Sequence, residues 1–81
     1  MIDRATKDYL YSVLTRDFED IVWNMNEYLD PKYNDLAEAE TYLVELECCV
    51  KAMRDVIGES EAKDYILEYN TIRNNVYNNY K

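Results

Sequence analysis

The chain has one glycine and one proline, and it has no histidine and no glutamine. Tight turns draw heavily on glycine and proline, so 81 residues with one of each should hold few turns and long regular elements. The missing histidine removes the commonest general base, the commonest metal ligand and the usual proton shuttle. A Ser/His/Asp or Cys/His nucleophilic site cannot be built from this composition. Neither can the di-metal pattern of helical bundles, which needs a Glu followed three residues later by His. A lone glycine excludes a glycine-rich phosphate loop. The calcium-loop pattern and the paired-cysteine spacing of structural zinc sites are also missing. The chain is therefore expected to have no catalytic residues, no metal and no cofactor, and not to be an enzyme.

Cysteine is scarce as well. The only two stand side by side as Cys48 and Cys49, in the stretch LECCVK. Adjacent cysteines cannot staple distant segments, and successive residues of a helix point about 100° apart, which does not offer disulfide geometry. Two thiolates without histidine are too few for a zinc site within one chain. The simpler reading is a small hydrophobe at Cys49 and a more exposed thiol at Cys48. Without a disulfide framework, the expected compartment is reducing, the cytoplasm. No apolar run approaches the length needed to span a bilayer. Asp3, Arg4, Lys7 and Asp8 stand where a secretory leader would be apolar, so no leader is predicted.

Bases are outnumbered, nine to seventeen acids, for a net charge of −8. Such a chain is repelled by free nucleic acid and by anionic membranes. A partner protein should present a basic or mixed surface, although solubility alone can also account for the acidity. With 48% hydrophobic and 32% charged residues, the composition is that of a folded domain rather than a disordered segment. At this length it is a single domain with a modest core.

What the chain does have is helical period. Leu36, Ala39, Leu43, Leu46, Val50, Met53 and Ile57 alternate by three and four, a heptad seam. Tyr42, Cys49 and Val56 form a flanking row beside it. Asp35 with Glu38 makes a candidate capping box, and Gly58 a candidate C-terminal cap. Tyr11, Leu14, Phe18, Ile21, Met25 and Tyr28 show the same period, widened by Leu10, Val22 and Leu29. Asp3 can cap this first segment, and Asp30-Pro31 ends it. A third stripe holds Ala62, Tyr65, Tyr69, Ile72 and Val76, with Ile66 and Tyr80 alongside and Ser60 as its cap. Asn74, Asn75, Asn78 and Asn79 are poor helix formers, which predicts fraying in the last turns unless a partner orders them. No stretch alternates with period two. The expectation is an all-α, elongated antiparallel three-helix bundle, with helices at about 4–29, 35–57 and 60–79, since short connections make consecutive helices antiparallel. The alternative is a helical hairpin that completes its core by homodimerisation.

The functional hint is aromatic. Nine tyrosines and a tryptophan occur in the chain, and Tyr9, Trp23, Tyr33 and Tyr77 fall off the seams or in a connection. Trp and Tyr are enriched at interfaces and among binding hot spots. The competing reading has the tyrosines wrapping the seams and Trp23 closing one end of the core. The residues expected to bind a partner are Trp23, Tyr33, Tyr77 and Tyr80, with Asp20 and Glu27 as charged neighbours. The carboxylates Asp17, Glu19, Asp20, Glu38, Glu45 and Asp55 read as solvated faces in preference to a magnesium site. The function that fits is a small cytoplasmic protein-binding factor acting by stoichiometric contact: an inhibitor, an immunity- or antitoxin-like factor, an adaptor or a phage-type anti-host protein. A nucleic-acid mimic blocking a basic groove and a structural homo-oligomer are the alternatives.

Overall fold

The computed structural model describes residues 3–26 and 36–79. Within them every residue except Asp3 and Gly58 is helical, and no strand is present. Helix α1 spans Arg4–Met25, α2 spans Leu36–Ala52 and α3 spans Glu59–Asn79. The described residues measure 46 × 18 × 15 Å.

Asp3 starts α1 as the sequence predicts. Its backbone is extended, its carboxylate accepts the Thr6 N–H at 2.8 Å, and its carbonyl accepts the Lys7 N–H at 2.9 Å. The Thr6 N–H, one of those left orphaned at a helix start, is thereby satisfied, and the Lys7 bond is the first of the helical ladder. The backbone hydrogen bond from Thr6 holds the Asp3 carboxyl below its ordinary range. At the other end of α1 the Asn26 N–H donates to the Trp23 carbonyl. The last predicted positions of this helix, Tyr28 and Leu29, lie outside the described residues, as does Asp35.

The α2 seam is the core. Ala39, Leu43, Leu46, Val50, Met53 and Ile57 are all buried, and Leu36 packs at the edge. The predicted single helix over 35–57 is corrected in one respect. After Ala52 the chain widens into a π turn, Met53–Ile57, with the Gly58 N–H donating to the Met53 carbonyl at 3.1 Å. The i→i+5 bond of a π turn rotates each residue less than an α turn does. Met53 and Ile57 stay inward, while Val56, expected beside Cys49 in the flanking row, is swung outward and is exposed.

Gly58 then breaks the chain direction at φ 136 and ψ 148, a conformation essentially reserved for glycine. Its carbonyl accepts the Ala62 N–H at 3.1 Å. This places Gly58 in the capping position expected of Ser60, which instead lies within the first turn of α3. The helix buries Ala62, Tyr69 and Val76 at the predicted spacing and stays helical through Asn79 in the single chain.

α2 is the middle element. It packs against both α1 and α3, and the π turn below it touches both as well, whereas α1 and α3 approach each other only slightly. Phe18 and Met25 from α1 and Tyr69 and Val76 from α3 close over the seam. No polar or charged side chain is buried among the described residues. The seam is thus covered within one chain.

Candidate interaction site

Because the α1 and α3 backbones approach each other only slightly and meet through the Tyr65 ring, an open groove runs between them. One wall is an α1 stripe, Tyr11, Phe18, Glu19, Val22, Trp23 and Asn26; the other is Glu61, Asp64, Tyr65 and Glu68 of α3. Both sets follow helical spacing, so each wall is one face of its helix. From Tyr11 to Asn26 the groove follows α1 for about 22 Å at 1.5 Å per residue. Its volume is about 500 Å³.

The floor is aromatic. Tyr65 meets Phe18 edge-to-face at a centroid distance of 5.2 Å and Tyr11 at 6.4 Å, the arrangement favoured by the ring quadrupoles. Burial raises the Tyr65 phenol above its ordinary range, and Tyr11, Glu19 and Glu68 add to the shift. Trp23 stands at one end and is 77% exposed. It does not close the end of the core. Four carboxylates, Glu19, Glu61, Asp64 and Glu68, border the groove, and among the described residues no lysine or arginine lines it.

Asp20 faces elsewhere. It lines a second groove, between α1 and α2, with Asp17, Val44, Glu45, Cys48 and Cys49. Both cysteines are free thiols, Cys48 exposed and Cys49 buried, as helical spacing predicts. The Cys49 Sγ donates to the Leu14 carbonyl at 3.2 Å. Burial, with the Asp17 charge adding, pushes this thiol up to about 11. It is a packed group rather than a nucleophile. Among the described residues, no three Cys, Asp or Glu side chains are gathered so as to hold a metal ion.

Tyr77 belongs to the α2–α3 contact. Its hydroxyl donates to Glu40 Oε2 at 2.9 Å, and the Arg73 guanidinium lies 5.7 Å from its ring centroid. The hydrogen bond to Glu40 raises the Tyr77 phenol above its ordinary range. Tyr9 is a further exposed aromatic on α1, outside the groove.

The expected binding residues are therefore dispersed. Trp23 lies on the α1–α3 groove, Asp20 on the α1–α2 groove and Tyr77 against Glu40, while Glu27, Tyr33 and Tyr80 lie outside the described residues. Sequence reasoning missed Tyr65 and the carboxylates Glu61, Asp64 and Glu68 as one wall. Their spacing of three, four and seven was visible, but the facing stripe of α1 that gives it meaning was not.

No helix among the described residues is long and apolar enough to cross a membrane. No protein-family model matches the chain, and no curated protein or solved structure is significantly similar to it.

Proposed function

We propose that the protein is an acidic protein-binding factor that works by stoichiometric contact, as an inhibitor, an immunity- or antitoxin-like factor or an adaptor does. One observation carries this reading. The only tryptophan is almost wholly in water, at the end of an aromatic-floored groove. Leaving a large ring there forgoes roughly 1.5–3 kcal/mol of burial, a loss that a partner covering Trp23 would recover. The carboxylates beside it favour a partner with a basic or mixed surface. The two free thiols accord with a reducing compartment, the cytoplasm.

The same reading includes an antiparallel three-helix order. Supporting it, Tyr77 near the end of α3 meets Glu40 near the start of α2, and Cys49 near the end of α2 meets Leu14 of α1.

The test is affinity capture from the producing cells with wild-type and Trp23→Ala baits, read by mass spectrometry. A partner held by the wild type and lost from the variant supports the reading. Equal capture by both baits contradicts it. If the captured partner is a nucleic-acid-binding protein and its binding collapses steeply with salt, mimicry of nucleic acid becomes the better account.

A further inference from the structure

The groove between α1 and α3 combines two features that act on the same ligand chemistry. Aromatic rings attract a cation over their faces, and arginine is the cation most often found there. Carboxylates from both walls add attraction for a positive group. Among the described residues, Glu19, Glu61, Asp64 and Glu68 have no ion-pair partner, in contrast to Glu47, which holds Lys51 at 3.0 Å, and Asp55, which holds Arg54 at 3.3 Å. A row of unpaired acids above an aromatic floor repels acidic ligands and gains from a basic one.

We propose that this groove is the docking site for an arginine-bearing segment of the partner protein, with a guanidinium stacked on Trp23 and paired to the carboxylates of the α3 wall. This rests on the reading of the protein as a binding factor. Arginine fits better than lysine because its planar guanidinium both stacks on rings and bonds carboxylates two at a time. The groove is long and open, which suits a chain segment rather than an enclosed small cation. Asp64 and Glu68 stand one helical turn apart on α3, a spacing that lets successive arginines of a segment pair in register.

The probe is a short alanine-based peptide carrying two arginines one helical turn apart. Counterparts replace arginine with its neutral isostere citrulline, or with glutamate. Binding is read by calorimetry, by the fluorescence of the single tryptophan and by NMR signals of Trp23, Tyr11 and Tyr65. The arginine peptide should bind saturably and shift these signals, and the other two should not. The variant Asp64→Asn/Glu68→Gln should weaken binding about tenfold. The variant Asp17→Asn/Glu45→Gln removes the same charge from the other groove and should leave binding unchanged. All four positions are exposed, so the variants keep the fold, and circular dichroism verifies it. Equal binding of the citrulline peptide, equal weakening by the two variants, or no shift at Trp23 up to millimolar peptide would each overturn the proposal. Loss of a captured partner from Trp23→Ala together with a silent peptide would refute the arginine site and leave the binding-factor reading standing; failure of both would remove both.

Discussion

At Cys49 the thiol has left water. It is 7% exposed and donates to the Leu14 carbonyl, and burial followed by the Asp17 charge raises its ionisation from 9.0 to about 11. Between those values the unfolded chain gives up this proton first, so the folded state binds more protons. Stability attributable to Cys49 is then complete below about pH 9 and falls as pH rises toward 11, by roughly 2 kcal/mol. Tyr65 and Tyr69 are also raised by burial and act in the same direction. Urea unfolding of the wild type and of Cys49→Ala at pH 8 and about pH 10.5 separates the share of the thiol. The variant should be weaker at pH 8 because of its cavity, yet lose less on going to high pH. Parallel losses would mean that Cys49 titrates as it does in water. Iodoacetamide should modify Cys48 alone in the native protein and both cysteines in denaturant, as read by mass. The alternation of the two side chains was legible from helical spacing, since one residue turns a side chain by about 100°. The bond to Leu14 was not, because it depends on how closely α1 approaches α2.

The elements repeat this pattern of local legibility. The three-four seam of α2 and the Asp3 cap are short-range features, and both appear in the structure as read. Leu46 is fully buried at the centre of the seam, so Leu46→Ala should cost about 2–5 kcal/mol in denaturant unfolding. A cost well under 1 kcal/mol would show that the seam is not the core. The π turn was not legible, because Met53 and Ile57 stand four apart and fit an α turn as well as a wide one. The sequence offers Ser60 as a cap, but the Gly58 carbonyl has already taken the Ala62 N–H. At φ 136 and ψ 148 a Cβ is strained by the backbone itself, and it would also lie 2.7 Å from Glu61 Oε2. Gly58→Ala should therefore destabilise the fold by about 1–3 kcal/mol. Adding Glu61→Ala should not restore the loss, because the carboxylate end can move and the backbone cannot. Full rescue by the second change would assign the cost to the clash.

For the molecule as a whole, the order of packing decides which surfaces remain. α2 fills the space between its neighbours, the heptad seam is covered inside one chain, and the α1–α3 face is left as a groove. The protein should be a monomer by light scattering across a wide concentration range. A stable dimer would favour the homo-oligomer alternative. Trp23 and the acidity were visible in the sequence as separate facts. That Trp23 shares a groove with Tyr65, Asp64 and Glu68 was not, since it arises from two helices that a third holds apart. The most direct test of the central claim is the affinity of the purified captured partner for wild type, Trp23→Ala and Tyr9→Ala, by isothermal titration. Tyr9→Ala removes another exposed ring of α1 that lies outside the groove. Trp23→Ala should weaken binding roughly thirtyfold, as a hot spot does, while Tyr9→Ala leaves it unchanged. Wild-type affinity in Trp23→Ala, or equal losses in the two variants, would contradict it.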